Sequence, residues 1–470
     1  MYMPKNTMNL QPLSLHFEEE IMAPLLTFYG DDFTGSTAVM EVLSFAGVPT
    51  MVFMEAPAPH ILKEYPELQA IGVAGIARTK DPAWMKANLP GVFKKLKHLG
   101  APVSHYKTCS TFDSSPDTGS IGTATELGAA VFDSDWVPLV VGAPEIRRFQ
   151  AFGTLFAGAG ADIYRLDRHP VMCRHPVTPM GEADLGKHLA AQTHLKVGIV
   201  DLVAMKAGES DYVISRARSA GAKIIAIDVV DDETLTEAGR IICSDERTVF
   251  TVGSQGVEYA LVAQWRVLGM LDAQHTAPVL SAVNQIFAVS GSCALTTADQ
   301  IAVAEAKGFQ ILNLDASTAT DQRRLAAEMA FIQAECLSLL SQGHDVLVTT
   351  ARGADDPMVA RVAEAITTSR ATSSDVNARL GTALGQLVSD IRRKTKMQRI
   401  AISGGDTSGH ALTQLGADAL SAVAPLAPGA PLCRVHTGAD PAIDGLEVTL
   451  KGGQMGRPTF FLEAKGGPQT

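Results

Sequence analysis

The feature that most constrains this chain is a repeated alternation of short apolar runs with longer segments of helical character. In the first half the runs fall at residues 25–29, 51–53, 70–76, 103–107, 137–141, 197–200, 224–229 and 249–252. Strands separated by helical crossovers lie parallel, because a parallel pair cannot be closed by a tight hairpin. The rhythm restarts with strands at 285–289, 345–349 and 399–402, another ending near Lys451, and helices at 297–307, 321–340 and 375–394. Between the two series, residues 270–283 carry neither period. A length of 470 residues also exceeds what one hydrophobic core usually supports. The expectation is an α/β chain of two domains, each with a mainly parallel sheet flanked by helices and with an active site in the cleft between them. Their bounds are 23–272 and 280–470, after an N-terminal extension at 1–22.

Composition narrows the function classes. Hydrophobic residues make up 46% and aromatics only 6%, which suits layered α/β packing better than an all-β sandwich. A formal net charge of −11 argues against a nucleic-acid binder, which needs a basic face. Small anionic ligands stay open, since a local Arg/Lys pocket opposes the global sign. Six cysteines (Cys109, Cys173, Cys243, Cys293, Cys336 and Cys433) are scattered without a Cys-x-x-Cys pair, so neither a zinc site nor a disulfide framework is suggested, and a reducing cytoplasm fits. No stretch approaches the ~20 apolar residues of a membrane span. Glu18-Glu19-Glu20 flanks the first apolar run wrongly for a signal peptide. No repeat of solenoid period is present. A homo-oligomer is neither required nor excluded.

Two strand ends concentrate chemistry. The first is Gly30-Asp31-Asp32-Phe33-Thr34-Gly35-Ser36-Thr37, where an apolar strand turns into a helix. In an open α/β sheet the carboxyl ends of strands border the ligand crevice, so Asp31 and Asp32 are placed to project into it. Gly35 permits close approach, and Ser36 or Thr37 is suited to cap the first helical turn. An Asp pair at such a turn also serves as a plain helix cap. The second is Ser403-Gly404-Gly405-Asp406-Thr407-Ser408-Gly409, whose Gly-Gly pair frees backbone N–H groups to meet an anion at a helix N-terminus. Ser290-Gly291-Ser292 and Lys451-Gly452-Gly453-Gln454 end two other strands in the same way. Three glycine-rich loops suggest a shared nucleotide cradle. It is neither a Walker A loop nor a Rossmann fingerprint, because both patterns are absent.

After the strand at 103–107, Lys107-Thr108-Cys109-Ser110-Thr111-Phe112-Asp113 combines a cation, hydroxyls and a carboxylate, a set suited to a polyhydroxy acid. Arg78 offers a guanidinium fork for a carboxylate, and Arg147-Arg148 a second. His175 sits in a proline-bounded loop and reads as structural. Cys109 lacks a neighbouring His, which makes a thiol nucleophile a weak idea.

Taken together and in order from about residue 24 to 461, these motifs resemble the four-carbon acid sugar kinase family, with Gly119-Ser120-Ile121-Gly122 and Val252-Gly253-Ser254 as further matches. The resemblance implies an ATP-dependent kinase with a sugar-acid-binding domain at 23–272 and a nucleotide-binding domain at 280–470. Its reaction would phosphorylate the terminal 4-hydroxyl of threonate, erythronate or 3-oxo-tetronate. Asp31 or Asp32 would be the base, the other holding substrate or a Mg²⁺-bound water. Arg78, Lys107, Ser110, Thr111 and Asp113 would hold the acid sugar. Ser290, Ser292, Gly404, Gly405, Asp406, Thr407, Gly452 and Gly453 would hold ATP, and no residue is assigned as a resident metal ligand. Two positions depart from the family pattern: Ala38 replaces an Asp, and Ala294 replaces a Ser after Gly-Ser-Cys. The rival readings are a metal-dependent phosphohydrolase and a sugar-acid sensor without catalysis; the glycine loops speak against both, since neither needs a nucleotide cradle.

Overall fold

The computed structural model describes residues 23–175, 177–245 and 247–466, so the expected extension at 1–22 lies outside them. Its strands are β1 (Leu26–Gly30), β2 (Thr50–Phe53), β3 (Ala70–Ala74), β4 (Val103–Lys107), β5 (Val137–Val140), β6 (Arg148–Ala151), β7 (Thr154–Ala159), β8 (Asp162–Arg165), β9 (Val197–Val200), β10 (Ile224–Ile227) and β11 (Val249–Gly253) in the first half. The second half adds β12 (Phe287–Ser290), β13 (Gln310–Asn313), β14 (Val346–Thr349), β15 (Arg399–Ser403), β16 (Ala419–Ala427), β17 (Ala430–His436) and β18 (Glu447–Lys451). Fifteen of them form one sheet in the order β13-β14-β12-β15-β18-β17-β16-β2-β3-β1-β4-β11-β5-β10-β9, and β6-β7-β8 make a small antiparallel sheet beside it.

The alternation predicted from sequence is therefore present, with one difference. The two parallel sheets are joined through the antiparallel hairpin β16–β17, whose β16 pairs with β2 from Ala419↔Phe53 to Ser421↔Met51. Helix Phe33–Phe45 packs beneath the junction. Its Val39, Met40 and Leu43 share one buried cluster with Leu384 and Leu412 and with Val435 of β17. One core thus runs through both halves.

Each half reverses its strand order once. β3 and β4 flank β1, and β14 and β15 flank β12. These are the two topological switch points at which an open parallel sheet leaves a crevice at its carboxyl edge. Six strand-to-strand steps separate β15 from β1. At roughly 20–25° of twist per step they rotate the strand direction by about 120–150°, which offsets most of the reversal introduced by the antiparallel hairpin. The two carboxyl edges accordingly open on a common side.

Polar anchors hold this frame. Arg399, wholly buried at the start of β15, donates to Glu447 Oε2 at 2.7 and 2.9 Å and to the carbonyls of Ser281 and Ala464 at 2.9 Å. A buried guanidinium is tolerable only when its donors are met in this way. Here it also ties the segment entering β12 and the C-terminal helix Phe460–Gly466 to the sheet.

Candidate active site

On the first carboxyl edge, in-register pairing sets Gly30 beside both Ala74 and Lys107. The loops leaving β1, β3 and β4 therefore meet. Asp31 N–H donates to the Lys107 carbonyl at 2.9 Å, and Arg78 N–H to the Asp31 carbonyl at 3.1 Å. The helix cap is Asp32, which accepts from Gly35 N–H at 2.6 Å. Ser36 and Thr37 do not cap, contrary to the sequence expectation: their hydroxyls donate back to the carbonyls of Asp32 (2.7 Å) and Thr34 (3.1 Å). A Cβ on Gly35 would lie 2.4 Å from Asp32 Oδ1 and 3.1 Å from Lys107 Nζ, so a side chain there would displace the Asp32 cap.

The two aspartates have different environments. Asp32 Oδ2 accepts from Arg78 Nη1 at 2.9 Å and from the Thr34 hydroxyl at 3.1 Å. The other arm of Arg78 grips Asp113 at 2.9 and 3.2 Å. Burial opposes ionisation of Asp113, but Arg78 and the Thr111 hydroxyl, 2.6 Å away, outweigh it and hold the carboxyl at about 2. Arg78 is thus a bridge between two carboxylates of the chain itself. Asp31 has no such support. It is 3% exposed, and its Oδ1 has no hydrogen-bond partner among the described residues. Burial, reinforced by the neighbouring Asp32, pushes its carboxyl up to about 7 against the opposing pull of Arg78 and Lys107.

The second edge is built from backbone. Pairing sets Ser290 beside Ser403 and Ser403 beside Lys451, so the three glycine loops converge. Helix Gly405–Leu415 begins after Gly404, which has φ +117° and provides no side-chain cap. Its first N–H groups are left for another acceptor. A Cβ on Gly291 would lie 2.2 Å from Thr407 Oγ1, one on Gly404 2.9 Å from the same atom, and one on Gly453 2.4 Å from Ser292 Oγ. Lys451, which sequence reasoning left as the end of a strand, is wholly buried behind these loops. Its ammonium donates to Thr297 Oγ1 (3.0 Å) and the Gly452 carbonyl (3.3 Å), and burial lowers it to about 8. A Lys directly before Gly-Gly at a strand end is the signal that could have singled it out. Ala294 occupies the cap position of helix Leu295–Ala306 without a side-chain bond, its N–H meeting Ser292 Oγ instead.

Both edges line one cavity of about 1220 Å³. From the first half come Asp31, Asp32, Arg78, Lys107, Ser110 and Asp113; from the second come Gly405, Asp406, Gly452 and Gly453. Thr111, Ser290, Ser292, Gly404 and Thr407 stand behind this lining. Ala38 reaches the wall, as do His175 and Thr178, whose hydroxyl donates to Asp113 at 3.2 Å.

Comparison with known proteins matches the two halves separately. The family model of a sugar-binding N-terminal domain matches residues 26–261, and that of a nucleotide-binding C-terminal domain matches residues 287–461. A 3-oxo-isoapionate kinase of Paraburkholderia graminis is 44% identical over 93% of each chain. The chain belongs to the four-carbon acid sugar kinase family. A second relative in this family, a 3-oxo-tetronate kinase of Cupriavidus necator, is 30% identical over 94% of this chain and 96% of its own. A crystal structure from Salmonella typhimurium LT2 shares the fold at TM-score 0.75 and 21% identity, covering 94% of this chain and 99% of that one. Membership of a kinase family leaves the two non-kinase readings without support. No helix among the described residues is long and apolar enough to cross a membrane.

Proposed function

We propose that this cavity is a phosphoryl-transfer site, with residues 23–272 presenting a sugar acid and residues 280–470 presenting ATP. The observation that carries the reading is the contrast across it: one unpaired, buried carboxylate near pKa 7 on one wall, and a cradle of glycine backbone on the other. Phosphoryl transfer asks little more of a protein than a positioned hydroxyl, an acceptor for its proton and donors around the phosphates. Asp31 is the base. A carboxyl near 7 is ionised in a useful fraction at neutral pH and still basic enough to take a proton from an alcohol as the bond forms. Asp32 is a positioning residue, holding the helix start and, through Arg78, the Asp113 carboxylate. Lys107, Ser110 and Thr111 complete the acceptor side.

The donor wall suits ATP on its chemistry. The hydroxyls of Thr407 and Ser292 fill the space beside Gly291, Gly404 and Gly453 and hold these loops close together, and the uncapped helix start adds partial positive charge for a phosphate. ATP supplies the transferable phosphoryl group, and Mg²⁺ offsets phosphate charge. Among the described residues no cluster of three or more His, Cys, Asp or Glu forms a metal cage. Asp406 is the acidic group on that wall and would be the residue beside a Mg²⁺ carried in with the nucleotide.

For substrate, the names of the two relatives share a 3-oxo sugar acid, and the more similar one favours 3-oxo-isoapionate over 3-oxo-tetronate, threonate or erythronate. A coupled ADP-release assay with those four acids tests this. We expect turnover with a 3-oxo acid at least tenfold above the others. ADP release independent of any acid, or phosphate release without ATP, would contradict it.

A further inference from the structure

The acid group of the substrate needs a cation, and Arg78, the residue sequence reasoning offered for it, is already shared between Asp32 and Asp113. The other cations on the cavity wall are held to different degrees. Arg147 donates to the carbonyls of Gly160, Ala161 and Asp162. Arg457 pairs with Glu463 at 3.3 Å. Lys107 is buried and donates to the Thr108 carbonyl at 2.6 Å, and like Arg147 it forms no ion pair among the described residues. Arg148 differs. Its Nη1 makes only two 3.2 Å bonds, to the carbonyls of Ile146 and Arg147, and its Nε is buried without any partner. Among the described residues it too forms no ion pair.

The backbone that carries Arg148 is firmly held. Arg148 and Ala143 exchange N–H···O bonds of 3.1 and 2.8 Å. Gln150 of the same strand pairs with Val229 by two 2.9 Å bonds, and its side-chain oxygen accepts from Val141 N–H at 3.0 Å. At the β6–β7 turn, Asp228 accepts from Phe152 and Gly153 N–H. A half-buried guanidinium fixed in place with donors unmet costs free energy unless an anion arrives. Burial accordingly works against its charge. It lies on the first half of the chain and lines the same cavity as Cys109, Ser110 and Asp113 of the acceptor loop. The phosphates are provided for on the opposite wall.

We infer that Arg148 is the anchor for the substrate carboxylate, making the site selective for sugar acids over neutral sugars and polyols. The inference rests on the acceptor assignment of the first half. An Arg fork takes a carboxylate through two parallel N–H···O bonds, which fixes the distal end of the acid while the terminal hydroxyl faces Asp31. Its small β6–β8 sheet then acts as a specificity element inserted beside the main sheet.

The test is calorimetric and needs no turnover. Threonate and erythronate, with threitol and erythritol as neutral counterparts, are titrated into the wild-type protein, Arg148→Gln and Arg148→Lys. We expect the wild type to prefer acids, Arg148→Gln to lose about 10- to 100-fold in acid affinity with polyol binding unchanged, and Arg148→Lys to recover part of the loss. Equal wild-type affinity for acid and polyol, or an acid preference that survives in Arg148→Gln, would overturn the inference. So would a loss confined to ATP affinity, which would place Arg148 on the phosphates. Acid binding that depends on Arg148 without ADP formation from any acid would leave the anchor standing and sink the proposed kinase reaction instead.

Discussion

The two walls of the cavity solve opposite problems. On the acceptor wall, side chains set the electrostatics: Asp32, Arg78, Asp113 and Thr111 compensate one another in a closed set, and Asp31 is left outside it. On the proposed donor wall, loop backbone sets the shape, with glycines at 291, 404 and 453 packed so closely against the Thr407 and Ser292 hydroxyls that a Cβ would displace them. A proton acceptor has to be perturbed, and one way to perturb a carboxylate is to bury it beside another that is already paired. An anion cradle has to be featureless in shape and rich in N–H. The two walls should therefore fail differently when changed.

The largest expected effect is at Asp31. Asp31→Asn should lower kcat by about 10²- to 10⁴-fold while nucleotide affinity stays within threefold, measured by steady-state kinetics and by ATP titration. Next is the donor wall. Gly404→Ala puts a Cβ at φ +117° and 2.9 Å from Thr407 Oγ1, and should raise KM for ATP at least tenfold with little effect on acid binding. A smaller effect belongs to Asp32. Asp32→Ala removes the cap from helix Phe33–Phe45, costing about 1 kcal/mol of stability in denaturant unfolding, and lowers kcat less than Asp31→Asn does.

The finest distinction is thermodynamic. Asp31 ionises only at about 7 when folded but near 4 when unfolded, so between those values the folded chain holds the extra proton and this group's contribution to stability falls as pH rises. Asp31→Asn removes that loss. Its melting temperature at pH 8 should match or exceed that of the wild type even as turnover disappears, and the gap should close toward pH 4. Asp32→Ala should melt lower at pH 8.

Much of this was legible in sequence. The strand–helix rhythm, the Asp31-Asp32 loop and the glycine loops at 290–292, 404–405 and 452–453 are local patterns, and local patterns survive folding. What escaped were elements decided by partners. β13, at the edge of the sheet, is only partly covered, and β16 is alanine-rich with Pro425, so neither shows a strand period, yet β16 joins the halves. The division of labour between Asp31 and Asp32 was unreadable because it depends on Arg78, 46 residues on, and on which oxygen that guanidinium reaches. A separation of 35 residues hid the compensation of Arg78 by Asp113, and only the fold distinguishes Arg148 from Arg147.

The central claim, that Asp31 is the perturbed base and Asp32 its positioned neighbour, is tested most directly by the pH dependence of kcat/KM for the acid at saturating ATP. The wild type should rise along a limb with an apparent pKa near 7, Asp32→Ala should keep the limb but displaced to lower pH because Asp32 no longer opposes ionisation of Asp31, and Asp31→Asn should be flat across it. A limb near 7 that persists in Asp31→Asn and vanishes in Asp32→Ala would contradict the account.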